Sequence, residues 1–149
     1  MMKNTLQTTN GEQTLASLVE SHPNGLILYF YPKDMTSGCT TQAEAFRDHI
    51  EWFDQQGVGI VGVSRDSLSR HKRFIEKHAL NFPLVADTDE ALCEAFSVIA
   101  EKSMYGRKYM GIVRSTFWLS PSLEILHEWR GVKIPGHIEA IQNHIKNAE

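Results

Sequence analysis

This chain predicts a three-layer α/β/α sandwich around a mixed central sheet. Short apolar runs rich in β-branched and aromatic residues, Leu26 to Tyr31 and Val58 to Ser64, alternate with stretches of helical periodicity. Near the end, two strand-like segments are joined directly through Ser120-Pro121-Ser122, so a parallel start gives way to an antiparallel finish. With 149 residues, 42% of them hydrophobic and 22% charged, the chain suits one domain, 1–149, whose core needs no disulfide or metal staples.

The elements follow in order. Leu15, Leu18 and Val19 recur at helical spacing, which predicts a short helix over Glu12 to Glu20. Pro23-Asn24-Gly25 is a turn signal, and the strand Leu26 to Tyr31 follows it and closes at Pro32. Ala43, Phe46, Ile50 and Phe53 predict one helix from Cys39 to Gln56, stopped at Gly57. Val58 to Ser64 is a second buried strand. Asp66-Ser67 opens a helix to about His78, Phe82 to Val85 forms a short strand, and Thr88-Asp89-Glu90 caps a helix through Phe96. Strands at Ser115 to Leu119 and Glu124 to Arg130 precede a last helix, Ile138 to Asn147. From the first strand onward the order is β-α-β-α-β-α-β-β-α, for which a thioredoxin-like arrangement is the natural candidate.

Composition narrows the function. A net charge of -3 and no clustered stripe of Lys and Arg leave phosphate-backbone binding without an electrostatic basis, so no nucleic-acid partner is expected. The stretch Met1 to Asn10 is polar and lacks the apolar stretch of a secretory signal, and Leu26 to Tyr31 is far too short to span a bilayer. A cytoplasmic protein with no membrane partner is the expectation. No exposed apolar stripe demands an interface, and a monomer is expected. Two cysteines, Cys39 and Cys93, make no disulfide framework and no C-x-x-C pair. The seven histidines show no metal-binding spacing and read as surface or packing residues.

The informative stretch is Tyr29 to Gln42, Y-F-Y-P-K-D-M-T-S-G-C-T-T-Q. A buried strand ends, a loop crosses the carboxyl edge of the sheet, and a helix begins with Cys39 in its first turn. Catalytic groups of open α/β sheets gather at this edge. A helix N-terminus offers unpaired N–H groups and the positive end of the macrodipole, which favour a thiolate over a thiol. Thr36 stands where a disulfide reductase would carry the first cysteine of its pair, and it supplies a hydroxyl instead. Position alone leaves two readings of Cys39 open, a nucleophile and a small buried hydrophobe.

The same stretch resembles the motif P-x-x-x-T-x-x-C of the peroxiredoxins, and its flanks resemble their Q-type branch, also called bacterioferritin comigratory protein. Further matches are G-V-S-R-D-S (Gly62 to Ser67), F-P-L-V-A-D (Phe82 to Asp87), Y-G-R-K-Y-M-G-I-V-R-S-T-F (Tyr105 to Phe117) and W-R-G-V-K-I-P-G-H (Trp129 to His137), in family order over most of the chain. The resemblance implies a thioredoxin fold and reduction of hydrogen peroxide or organic hydroperoxides, without metal, haem or flavin. It implies that Cys39 is the peroxidatic nucleophile, that Thr36 bonds the sulfur and the substrate oxygen, and that Pro32 shields the site from water. It makes Arg114 the distant guanidinium that completes the site. Gln42 falls where the family steadies that arginine, and Gly38 lies in the substrate-binding turn.

The chain departs from the family at the resolving cysteine. Many Q-type members carry it five residues after the nucleophile, which is Glu44 here, and others carry it in the next helix, where this chain has Ile75. Cys93, beside Leu92 and Phe96, reads as a core cysteine, with resolution as its alternative role. The expectation is a one-cysteine peroxidase whose sulfenic acid is reduced by an external thiol, from thioredoxin or from glutaredoxin with glutathione. A thiol-disulfide oxidoreductase is the competing activity, and a non-enzymatic binding domain the third.

Overall fold

A computed structural model describes residues 5–148; Met1 to Asn4, part of the polar stretch read above as no signal, lie outside the described residues. A hairpin of β1 (Leu6–Thr8) and β2 (Gly11–Gln13) precedes α1 (Leu15–Val19) and β3 (Leu26–Phe30). There follow α2 (Ser37–Asp48), α3 (Ile50–Gln55), β4 (Gly59–Ser64), α4 (Leu68–His78), β5 (Leu84–Ala86) and α5 (Ala91–Ala95). A second hairpin, β6 (Ile99–Met104) and β7 (Arg107–Ile112), leads to β8 (Ser115–Leu119), β9 (Ile125–Arg130) and α6 (His137–Asn147).

Seven strands form one sheet in the order β2-β1-β5-β4-β3-β8-β9. Pairs β3–β4 and β4–β5 are parallel, while β3–β8 and β8–β9 are antiparallel, as the sequence predicts. Alternation along β3 divides the core in two. Leu26, Leu28 and Phe30 pack with α1 and α5, beside Leu15, Leu18, Leu92 and Phe96. Ile27 and Tyr29, with Tyr31 just beyond the strand, face the other way, against Phe46, Phe53, Phe74 and Ile141 of α2, α3, α4 and α6. The result is the three-layer sandwich, with helices on both faces.

Several elements differ from the expectation, each for a local reason. The first helix is shorter, because Gly11, at φ +99°, turns β1 back into β2 and gives Glu12 and Gln13 to a strand. Thr14 then starts α1 with a reciprocal cap, its hydroxyl accepting from Ser17 N–H at 3.1 Å. The long helix Cys39 to Gln56 is two helices. At the break, a ring nitrogen of His49 sits 2.8 Å from the Ala45 carbonyl, the acceptor a continuous helix would offer His49's own N–H. The cap of α5 is displaced as well. Glu90, at φ +63°, turns its carboxylate to Arg65 at 2.7 Å, and buried Asp87 instead accepts from Leu92 N–H (3.0 Å) and Cys93 N–H (2.8 Å). The hairpin β6–β7, absent from the expectation, turns on Tyr105-Gly106, both at positive φ (52° and 77°).

Candidate active site

Cys39 lies in the first turn of α2, whose N-cap residue is Thr36. The sequence builds this placement from a strand that ends inside the sheet, a turn through Met35 at φ +65°, and a helix start that needs no side-chain cap. The sulfur-bearing residue is 2% exposed, on the face of the sheet that carries Tyr29, Phe46 and Phe82. Its burial is not that of an inert core thiol, because a cation faces it: Arg114 Nη2 is 3.4 Å from Cys39 Sγ. The guanidinium and the open N–H groups of the helical turn both stabilise negative charge on the sulfur.

Arg114 arrives from the short link between β7 and β8, and Val132 N–H anchors its carbonyl at 2.9 Å. Its other terminal nitrogen, Nη1, donates to Gln42 Oε1 at 2.5 Å. Gln42, one turn beyond Cys39 on the same helix, is 2% exposed. One planar fork therefore ties the nucleophile's sulfur to the nucleophile's own helix. Gly38 makes room for it: a Cβ there would lie 3.4 Å from Arg114 Nη2 and 3.3 Å from Ile134 Cδ1. Thr36 is exposed, and its hydroxyl donates to the Lys33 carbonyl at 2.8 Å, so its lone pairs point to an acceptor role. Pro32 is half-buried at the base of the same loop. Thus the structure joins Cys39, Arg114 and Gln42 by direct contact, with Gly38 beside the guanidinium and Thr36 and Pro32 on the adjoining loop.

Cys93 stands apart. It is wholly buried in the core on the opposite face of the sheet, among Leu92, Phe96 and Val98. Burial pushes its thiol well above the ordinary range, and the hydrogen bond and charge of Asp87 push it further.

Sequence reasoning passed over four polar residues near the site. Asp34 and His71 are fully buried and joined at 2.5 Å behind the loop that carries Thr36. Asp34 stood inside the quoted motif, and His71 shares the buried face of α4 with Phe74. Lys102 Nζ donates to the Ile112 carbonyl, and burial followed by Arg114 lowers its affinity for a proton. His137, paired with Thr116 Oγ1 at 2.8 Å, is held down to about 4 by burial and then by Arg114. Three buried polar atoms, Tyr29 OH, Gln42 Nε2 and Arg70 Nε, make no hydrogen bond among the described residues; the last is ion-paired with Asp66 Oδ1 at 3.1 Å. Burial first, and then the charge of Cys39, hold the Tyr29 hydroxyl in its protonated form.

A cavity of about 440 Å³, lined by Pro23, Trp118, Leu126 and Ile145 among others, lies at the other end of β3 from Cys39. It contains none of the residues above. No described helix is long and apolar enough to cross a membrane.

The chain is similar to known proteins over most of its length. The model of the AhpC/TSA family matches residues 2–127. Peroxiredoxin Bcp of Xanthomonas campestris pv. campestris is 48% identical over 136 residues, covering 91% of this chain and 84% of its own. Peroxiredoxin Bcp of Bacillus subtilis is 49% identical, covering 78% of this chain and 75% of its own. The solved structure of the bacterioferritin comigratory protein of Xanthomonas campestris, described for its alkyl peroxide reduction activity, superposes with a TM-score of 0.90 at 44% identity, covering 99% of this chain and 92% of that one. The thioredoxin-like fold is that of peroxiredoxin Q structures, one of which gives a TM-score of 0.89 at 45% identity, covering 98% of this chain and 91% of its own.

Proposed function

Because this chain belongs to the AhpC/TSA family and, within it, to the peroxiredoxins of the Bcp or Q type, we propose that it is a thiol-dependent peroxidase acting through Cys39. The observation that carries this is the 3.4 Å approach of Arg114 to the sulfur at a helix start. The substrates are hydrogen peroxide and organic hydroperoxides.

The thiolate of Cys39 attacks the terminal peroxide oxygen. A sulfur–oxygen bond forms as the oxygen–oxygen bond breaks, and the departing alkoxide or hydroxide takes a proton and leaves as alcohol or water. Sulfur loses two electrons to the peroxide and becomes a sulfenic acid. Arg114, already aimed at the sulfur, stabilises charge on the two reacting oxygens, and the lone pairs of Thr36 accept from the peroxide hydroxyl. Gln42 keeps the guanidinium in the plane that allows this. Gly38 leaves the approach open, and Pro32 keeps water from the loop base.

The sulfenic acid is resolved by an external thiol. A first thiol condenses with it, releasing water and leaving a mixed disulfide; a second thiol displaces Cys39. Cys93 is a poor resolver for two reasons: the sheet lies between the thiols, and burial keeps Cys93 protonated. Thioredoxin, or glutaredoxin with glutathione, serves as reductant.

Stoichiometric peroxide followed by intact mass spectrometry tests the reading. Gain of one oxygen, absent in Cys39→Ser, is expected. Unchanged peroxide consumption by Cys39→Ser defeats the catalytic assignment, and loss of two hydrogens as a Cys39–Cys93 disulfide defeats the one-cysteine scheme.

A further inference from the structure

We propose that Asp34 and His71 are positioning residues of this reaction: a buried pair sharing one proton that fixes the loop from which Thr36 and Cys39 are hung. This inference rests on the peroxidase reading above.

Asp34 lies midway between Pro32 and Thr36, and its side chain is fully buried. Oδ1 accepts the Tyr31 hydroxyl proton at 2.5 Å, and Oδ2 lies 2.5 Å from His71 Nδ1. The other imidazole nitrogen, Nε2, lies 2.8 Å from the Val85 carbonyl. A carbonyl only accepts, so Nε2 carries a hydrogen. Two bare lone pairs do not sit at such a distance, so one further proton lies between Asp34 Oδ2 and His71 Nδ1. The backbone of Asp34 is held as firmly. Its N–H donates to Asp66 Oδ2 at 2.8 Å, and its carbonyl accepts from Arg70 Nη2 at 3.0 Å. Asp66 is itself fixed by the Ser64 hydroxyl at 2.6 Å and by Arg70 Nε at 3.1 Å.

Asp34, Asp66 and His71 could be taken for a cation site, since their ligand atoms lie within 4.8 Å of one another. The hydrogen bonds already engage those atoms, and the shared proton does the work a cation would do.

What the network restrains is the loop. Met35 follows in a left-handed conformation that a side chain adopts only when its surroundings enforce it. The next residue is Thr36, the N-cap of α2, whose hydroxyl reaches back to Lys33. A carboxylate buried without exposure is costly, and packing alone would be served by an apolar residue. Here all four polar atoms of Asp34 are engaged, two with Arg70 and His71 of α4, one with Tyr31 at the end of β3 and one with Asp66 in the loop after β4, and that arrangement fixes position. The pair touches neither sulfur nor peroxide; it acts through the placement of Thr36 and the first turn of α2.

The test compares Asp34→Asn with Asp34→Ala. Asparagine retains an acceptor for Tyr31 and donates to the lone pair of a neutral His71, so the loop keeps its anchor. Single-turnover oxidation of Cys39 by peroxide is expected within about threefold of the parent for Asp34→Asn, and about 100-fold slower for Asp34→Ala. Alkylation of Cys39 by iodoacetamide, which needs the thiolate but not the peroxide cradle, is expected within about threefold in both. A second pair covers failure of the alanine variant to fold. His71→Asn keeps a donor toward Asp34, and His71→Gln keeps one toward Val85; the first is expected to oxidise about tenfold faster than the second. The inference is overturned if folded Asp34→Ala oxidises at the parent rate, if Asn and Ala at position 34 are equally slow, if alkylation falls in parallel with oxidation, or if the two His71 variants match. A parent chain that consumes no peroxide, or a Cys39→Ser variant that still does, overturns the peroxidase reading instead.

Discussion

Arg114 bonds Gln42 with one nitrogen at 2.5 Å and faces the Cys39 sulfur with the other at 3.4 Å, so one guanidinium joins it to residues 72 and 75 positions away in sequence. Replacing Arg114 with Lys keeps the charge but loses the fork. The rate constant for peroxide is expected to fall about 100-fold in Arg114→Lys and further in Arg114→Ala, as stopped-flow oxidation of Cys39 will show.

Gly38 separates activity from stability. In Gly38→Ala the new methyl meets Ile134 Cδ1 at 3.3 Å, so that side chain must give by tenths of an ångström, and it comes into contact with Arg114 Nη2 at 3.4 Å, filling the space beside the guanidinium. The helix itself gains, since alanine favours it by about 1 kcal/mol. A peroxide rate lowered about tenfold with an unreduced melting temperature is the expected outcome. An unchanged rate would show that the guanidinium has slack.

Cys93→Ala leaves the peroxide rate and the external-thiol turnover unchanged. It costs about 1 kcal/mol in urea melts, because a small buried group is removed from the core. In the parent, a thiol reagent titrates Cys93 only after unfolding, since burial holds it protonated.

His137 makes stability pH-dependent. Its folded value, about 4, lies below the ordinary 6.5, so between these the unfolded chain binds more protons. Stability is full above the ordinary value and falls as pH drops toward the folded one, by about 3 kcal/mol in all. His144, lowered by burial and then by His127, acts in the same direction. Urea melts at pH 7.5 and about pH 5 compare the parent with His137→Gln, which is expected to lose most of the difference.

Much of the sheet and the nucleophile's position are legible in the sequence. The runs Leu26 to Tyr31 and Val58 to Ser64 have no other use than buried strands, and a cysteine opening the helix between them lands at the sheet's carboxyl edge. The β6–β7 hairpin escaped notice because most of its residues, Glu101 to Met110, face solvent on both sides, which erases the alternation a strand prediction needs. The break at His49 depends on a side chain taking a backbone acceptor, an event invisible to periodicity. Within the site, Arg114 was named from the family pattern, since nothing local distinguishes it from Arg107 or Arg130. The Asp34–His71 pair spans 37 positions and was hidden by the ordinary look of each member alone.

The sheet between the two cysteines has a kinetic consequence. On the proposed chemistry, oxidised Cys39 finds no thiol on its own side of the molecule, so its lifetime is governed by the supply of reductant around it. When that supply runs short, a second peroxide competes for the same sulfur and drives it to the sulfinic acid, which ordinary thiols do not reverse. The layer that gives the domain its stability thus leaves the enzyme's survival to the redox state of its surroundings.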